Sequence, residues 1–219
     1  MFSISFDALT KGDKIGEGGF GIVYKGTYRF GPAAIKQLQI DNLSPEAEEE
    51  FNKEANIMAQ LHHPHIVHFY GYCSVPKCLV MEYMPKGSLF KVLHSKEPLD
   101  WTIRIKIAAE IASGLAFLHS SNILHRDIKS LNVLLDAQMG AKLTDFGLSQ
   151  VKNETKSKTS ATRTHQDTVG TVQWMAPELF KRRAVFTQKA DIYSLGITFW
   201  ELAARQIPYA KDTQAAIPT

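Results

Sequence analysis

The chain is poor in cysteine: Cys73 and Cys78 are its only two among 219 residues. Two thiols cannot build a disulfide framework, which excludes the small stapled secreted scaffolds and leads us to expect a reducing, cytoplasmic compartment. No apolar run reaches the ~20 residues that cross a bilayer, so direct membrane insertion is not expected. The opening stretch, Met1 to Leu9, has neither the basic region nor the long apolar segment of a secretory signal. Charge of one sign is scarce too. The formal net charge is only +3, too small to argue for a nucleic-acid partner. There are no internal repeats. The Gly-Lys-Ser/Thr signature of a P-loop nucleotidase is missing. His62, His63, His65 and His68 lie close together but lack companion carboxylates or thiols at metal-site spacing. They read as a turn around Pro64 between a helix and a strand.

What is present is an ordinary globular composition, 44% hydrophobic and 21% charged. Strand-type residues with glycine punctuation fill the first third, at Ile15, Phe20 to Tyr28 and Ala33 to Leu38. A helix is expected next. Ser44 suits its N-cap, Pro45 its first turn, and Glu46, Glu48 and Glu49 favour the positive end of its dipole. Its apolar stripe is Phe51, Ala55, Met58 and Leu61, with Glu54 set inside that face. Strand-like runs follow at Ile66 to Tyr72 and Cys78 to Tyr83, then a linker, Met84 to Ser88. The remainder reads as helical, through Trp101 to His119 and Ala190 to Ala204. The first of these is patterned on Ile105, Ala108, Ala112, Leu115, Ala116 and Leu118. The second is apolar nearly all round, at Ile192, Leu195, Ile197, Phe199, Trp200 and Leu202, a pattern that asks for cover on every side. Val151 to Thr171 is polar and rich in Ser and Thr, as a mobile loop would be. Strands first and helices second predict an α+β fold with two lobes.

The polar clusters carry the chemistry. His125-Arg126-Asp127-Ile128-Lys129-Ser130-Leu131-Asn132 is followed by Asp145-Phe146-Gly147. Apolar residues flank both: Ile123 and Leu124, then Val133 to Leu135, then Leu143. Short apolar runs of this kind predict buried strands with the polar groups at their ends. Two carboxylates and an amide near one point suit Mg²⁺, a hard cation that also binds substrate phosphates. Upstream, Gly16, Gly18 and Gly21 remove side chains that would obstruct close approach of backbone to phosphate oxygens. Lys36 follows Ala34 and Ile35 in an apolar strand, and a buried ammonium needs an anion. Glu54 is a carboxylate with the complementary need.

Gly16-Glu17-Gly18-Gly19-Phe20-Gly21 with Val23, then Ala33-Ala34-Ile35-Lys36, the two clusters above and Ala176-Pro177-Glu178 stand in one order along nearly the whole chain. In this the sequence resembles a eukaryotic-type protein kinase catalytic domain. The resemblance implies an N-lobe over 1–84 and a C-lobe over 85–219. It implies ATP and Mg²⁺ as cofactors and protein substrates as partners. Asp127 matches the catalytic aspartate that accepts the proton of the substrate hydroxyl, and Asn132 and Asp145 match the Mg²⁺ ligands. Lys36 and Glu54 match the pair that holds the α- and β-phosphates. Ile15, Gly16, Gly18 and Gly21 belong to the glycine-rich loop. Val23, Ala34 and Leu134 match the residues that sandwich adenine. Met81 falls at the gatekeeper, and Glu82 and Met84 offer backbone groups to the adenine edge. His125 and Phe146 resemble members of a stacked column, with Met58 and Phe69 above and Asp191 anchoring below.

Lys129 resembles the lysine of serine/threonine kinases that steadies the γ-phosphate, and Thr171 points the same way, whereas Trp174-Met175 is reminiscent of tyrosine kinases. The mixture resembles the tyrosine-kinase-like group, which includes the mixed-lineage, Raf, receptor-interacting, Pelle and plant receptor-like kinases. The implied activity is transfer of the ATP γ-phosphoryl group to Ser or Thr of proteins. Arg126 matches a position that pairs with a phosphorylated loop residue, for which Thr162, Thr164 and Thr168 are candidates. One departure concerns the end of the chain. Thr219 comes soon after Ile207-Pro208-Tyr209, whereas the resemblance implies further helices and an arginine partner for Glu178. The expected C-lobe is therefore incomplete, and an exposed apolar patch is expected on the helix Ala190 to Ala204, part of which the further helices would cover. That makes a nucleotide-binding, pseudokinase-like scaffold the alternative reading.

Overall fold

The computed structural model describes residues 2–18, 21–38, 52, 55, 56, 58–146, 172–181 and 184–210. These form two compact units that part after Met84.

The first unit is built on an antiparallel sheet. Its strands are β1 (Leu9–Gly18), β2 (Gly21–Tyr28), β3 (Gly31–Leu38), β4 (Phe69–Cys73) and β5 (Cys78–Glu82), in the order β1-β2-β3-β5-β4. Alternation of side chains sorts β3 into two faces. Ala33 and Ile35 join Ile4, Cys73, Cys78 and Val80 in a buried cluster. Ala34 and Lys36 point the other way. Registers across the sheet then place Gly16 opposite Val23, Val23 opposite Lys36, and Ala34 opposite Met81. Residues 2–4 pair with the outer edge of β4: Ser3 bridges Tyr72 in parallel, with Ile4 N donating to Tyr72 O at 2.8 Å and Tyr72 N to Phe2 O at 3.1 Å. Of the helix expected after β3, residues 52, 55, 56 and 58–60 are helical, and Ser44 to Phe51 lie outside the described residues.

In the second unit a small sheet joins β6 (Gly87–Ser88), β7 (Val133–Leu135) and β8 (Ala141–Leu143). The segment read as a linker thus ends in a strand, with Gly87 and Ser88 opposite Leu135 and Leu134. Ile123 and Leu124 form no strand. The helices are α1 (Leu89–Leu93), α2 (Trp101–Ser120) and α3 (Gln188–Ala204). The Ser88 hydroxyl caps α1 by accepting from Lys91 N at 3.3 Å.

The buried stripe of α2 is Ile107, Ile111, Gly114, Leu115 and Leu118, at helical spacing. Each fully buried aliphatic side chain there contributes about 1.5–3 kcal/mol. Ile105, expected on that stripe, is 65% exposed. It sits two positions from Ile107, about 200° around the helix. The helix has apolar residues on both phases, so periodicity alone chose the wrong start. On α3 some of the apolar side chains are exposed, as expected. Ile192 and Trp200 are 53% and 48% exposed, while Asp191, Thr198 and Glu201 are buried. Polar residues occupy its inner face because they serve neighbouring polar groups, as the site geometry makes plain.

Candidate functional site

In the first unit the sheet places Gly16, Val23, Ala34, Lys36 and Met81 on one face, opposite the buried cluster. Lys36 is 8% exposed. Met81 and Met84 are buried, and Ile15 is exposed. The Glu82 side chain turns away from this face: its Oε1 accepts from His68 N at 2.6 Å. The glycine-rich hairpin closes with Gly18 opposite Gly21. Gly21 has a φ of +146°, and a Cβ there would stand 2.1 Å from Gln37 O. Close packing of β2 on β3 is thus enough to require glycine at that position. Glu54 lies outside the described residues, as do Gly147 and the whole Ser/Thr-rich stretch including Thr162, Thr164, Thr168 and Thr171.

In the second unit Asp127, Lys129 and Asn132 come together. Lys129 Nζ is 3.1 Å from Asp127 Oδ1. Asn132 Nδ2 donates to Asp127 Oδ2 at 2.9 Å and to the Asp127 carbonyl at 2.7 Å. A 3₁₀ turn, Ser130–Asn132, carries the asparagine into β7, closed by Asn132 N donating to Lys129 O at 2.9 Å. Thr144 N donates to Asn132 O at 3.0 Å. This ties Asn132 to the residue before Asp145, which has a φ of +63°. Left-handed backbone at a residue other than glycine is strained and gathers at functional sites. Arg126, exposed, shares it with a φ of +67°.

Asp191 on α3 holds that strained loop. Its Oδ1 accepts from Arg126 N at 2.8 Å and its Oδ2 from His125 N at 2.9 Å. His119 Nε2 lies 2.8 Å from the same Oδ2. The carboxylate is 2% exposed, so the two N–H groups replace water as its partners. His125 packs near Phe146 with ring centroids 6.1 Å apart. Glu178, for which the sequence implied an arginine, is only partly buried within the 3₁₀ turn Pro177–Phe180.

A second buried carboxylate was missed in the sequence. Glu201 is 0% exposed. It takes three donors: Ser130 Oγ at 2.7 Å, Trp174 Nε1 at 3.1 Å and His94 Nε2 at 3.0 Å. Burial raises its pKa, and the bonds from Ser130, His94 and Trp174 oppose that rise. The available signal was a lone glutamate among Phe199, Trp200 and Leu202, where a buried charge demands partners.

Among the described residues no group of three or more His, Cys, Asp or Glu is placed to hold a metal. The donors at Asp127, Asn132 and Asp145 still suit a hard divalent cation. With its nitrogen committed to Asp127, the Asn132 amide presents oxygen, as do both carboxylates. No described helix is long and apolar enough to cross a membrane.

The family model for protein tyrosine and serine/threonine kinase matches residues 9–218. A probable serine/threonine-protein kinase of Dictyostelium discoideum is 42% identical over 94% of the chain and 22% of its own length. A serine/threonine-protein kinase of Arabidopsis thaliana is 38% identical over 99% of the chain and 37% of its own length. A putative serine/threonine-protein kinase/receptor of Acanthamoeba polyphaga mimivirus is 39% identical over 99% and 13%. The chain thus spans less than two fifths of each of these relatives. With a fold of α+β type and these matches, the chain belongs to the protein tyrosine and serine/threonine kinase family, whose members use ATP and a divalent metal ion to phosphorylate proteins.

Proposed function

We propose that this chain is the catalytic domain of a serine/threonine protein kinase that transfers the γ-phosphoryl group of ATP to Ser or Thr of protein substrates. The observation that carries this reading is the constellation of Asp127, Lys129 and Asn132. A carboxylate stands with a cation at 3.1 Å and an orienting amide at 2.9 Å. Asp127 accepts the proton of the attacking hydroxyl, and Lys129 steadies the γ-phosphate. The relatives' names, all serine/threonine kinases, support the choice of acceptor.

Asn132 and Asp145 would hold Mg²⁺ through oxygen, with Asp127 fixing the asparagine's orientation. When bound, the ion supplies positive charge to the phosphate oxygens. The residues through Met84 form the lobe that grips the nucleotide, and 85–219 the lobe that carries the acceptor chemistry. Lys36, paired with Glu54, takes the α- and β-phosphates under the loop of Ile15, Gly16, Gly18 and Gly21. Val23, Ala34 and Leu134 flank adenine, Met81 limits the depth of its site, and the backbone of Glu82 and Met84 meets its edge. We assign the protein to the cytoplasm and propose no nucleic-acid partner and no membrane insertion.

The test is incubation with radiolabelled ATP, Mg²⁺ and a basic protein substrate, followed by phosphoamino-acid analysis. Label on Ser and Thr that disappears in Asp127→Asn is the expected result. Label on Tyr alone would overturn the acceptor assignment. Nucleotide binding without transfer would favour the scaffold reading.

A further inference from the structure

In the first unit, cations lie over aromatic faces at several places on the sheet. Lys11 Nζ is 4.2 Å from the centre of the Tyr24 ring, and the Arg29 guanidinium is 5.1 Å from that of Tyr28. Both contacts join near neighbours, and both tyrosines pack on the buried cluster behind the sheet. A third contact differs. Lys25 Nζ lies 4.9 Å from the centre of the Tyr83 ring. Lys25 is on β2, Tyr83 directly follows β5, and β3 runs between those two strands. Two strand spacings of about 4.7–4.9 Å put the backbones roughly 10 Å apart, so only long side chains can meet. Register shows where they do. Lys25 stands opposite Ala34, and Ala34 opposite Met81. Alternation puts Lys25 on the face of Val23 and Ala34, and Tyr83 on the face of Met81. Ala34 has only a methyl group to place between them, which leaves the path across β3 open. Lys25 is exposed and Tyr83 half-buried. An ammonium with water at hand is thus laid on an aromatic ring instead.

We propose that Lys25 and Tyr83 form a strap across the outer end of the adenine site, a pair of positioning residues that hold β2 at a fixed span from the segment Glu82–Met84. The inference rests on the proposed nucleotide role of this face. Val23, which flanks adenine in that reading, is two positions before Lys25 on the same strand. Tyr83 stands between Glu82 and Met84, whose backbone meets the adenine edge. The strap therefore ties one wall of the site to its edge, over Ala34. The ammonium is drawn to the negative face of the ring, an attraction that needs no hydroxyl. Strand β2 also begins at Gly21, so the same strap reaches the glycine-rich hairpin through continuous strand. It touches no reacting atom. Its effect falls on nucleotide binding in ground state and transition state alike, and not on the transfer step.

The experiment measures kcat and KM for ATP, the calorimetric Kd of ATP with Mg²⁺, and the urea unfolding midpoint, all on the full chain. Lys25→Met keeps the stem and removes the charge. Tyr83→Leu keeps apolar bulk and removes the ring. Each should raise Kd and KM for ATP about two- to fivefold, the range that a cation over an exposed aromatic face supplies. Their kcat should change less than about twofold, as loss of uniform binding requires. Lys25→Arg and Tyr83→Phe, which keep cation and ring face, should stay within about 1.5-fold of the parent. The double variant Lys25→Met/Tyr83→Leu should bind no more weakly than the weaker single variant, since both remove one contact. Unchanged Kd in Lys25→Met, equal losses in Lys25→Arg and Tyr83→Phe, or additive losses in the double variant would overturn the proposal. So would a lowered unfolding midpoint with parental Kd and KM, the mark of a packing contact alone. A parent chain that binds ATP without transferring phosphate would overturn the kinase reading instead, and the Kd comparison would still decide this one. A parent chain that binds no ATP would overturn both.

Discussion

Asn132 grips Asp127 twice, with its Nδ2 2.9 Å from the carboxylate Oδ2 and 2.7 Å from the main-chain oxygen. The candidate proton acceptor and the candidate metal ligand are therefore one mechanical unit. Asp127→Asn should lower phosphotransfer by roughly 10²–10⁴, the usual worth of a general base, while ATP binding persists. Asp145→Asn should weaken Mg²⁺-dependent ATP binding, read by calorimetry with and without the ion. Asn132→Ala should do both, because it loses a ligand and releases Asp127. Equal loss of ATP affinity in Asp127→Asn and Asp145→Asn would undo the division of roles.

Asp191 makes its contribution through the backbone. Asp191→Ala strips partners from the N–H groups of His125 and Arg126. Each buried donor left unsatisfied costs about 1–3 kcal/mol. A loss of roughly 1–3 kcal/mol is expected from urea unfolding, since the His125 N–H is buried and the Arg126 N–H only partly so. Retention of parental stability would mean that the loop finds other acceptors.

How much of this was readable in advance follows from sequence distance. Asp127, Lys129 and Asn132 lie within a few residues of one another. Their meeting needs only a turn, and their spacing already suggested it. Glu201 meets Ser130 across 71 positions. No local pattern reports such a pairing, and its helix looked simply apolar. The phase of α2 was lost for a related reason, since Ile105 and Ile107 compete for one face and only packing decides. The strands of the first sheet were visible through alternation and glycine. The attachment of residues 2–4 to β4 was not, because a three-residue strand has too little pattern to register.

That attachment depends on Gly71. Its φ is +153°, and a Cβ there would lie 2.1 Å from Phe2 O. Gly71→Ala should therefore expel residues 2–4 from the edge of β4, with about 1–3 kcal/mol of backbone strain if they stay. Faster hydrogen exchange at the Ile4 and Tyr72 amides would register the release. Protection equal to the parent would show that the sheet edge tolerates a side chain.

Cys73 and Cys78 face each other as register partners and are buried. Burial pushes both thiols above their usual range, Cys78 far more strongly. The thiolate is the reactive form. Native protein should therefore resist iodoacetamide at neutral pH, and denatured protein should take up two equivalents. Rapid native labelling of either residue, followed by mass spectrometry, would contradict the packing of this hairpin.

The buried Glu201 carboxylate also predicts a direction for stability against pH. Burial, before any other cause, raises its folded pKa above the ordinary 4.5 of a glutamate. Between 4.5 and the folded value the native state therefore binds more protons than the unfolded chain. Stability then falls as pH rises. The contribution is fully present below the unfolded pKa and is lost as pH passes through the folded one. Glu201→Gln removes this titration while keeping the shape. The stability difference, parent minus variant, should decline with rising pH across that window and then level off. Ser130→Ala removes a hydrogen bond that opposes the rise, so its decline should extend to higher pH. Denaturant midpoints collected from acid to neutral pH test both statements. A difference that grows with pH would mean that Ser130, His94 and Trp174 together outweigh desolvation, and that Glu201 is held ionised more firmly than in water.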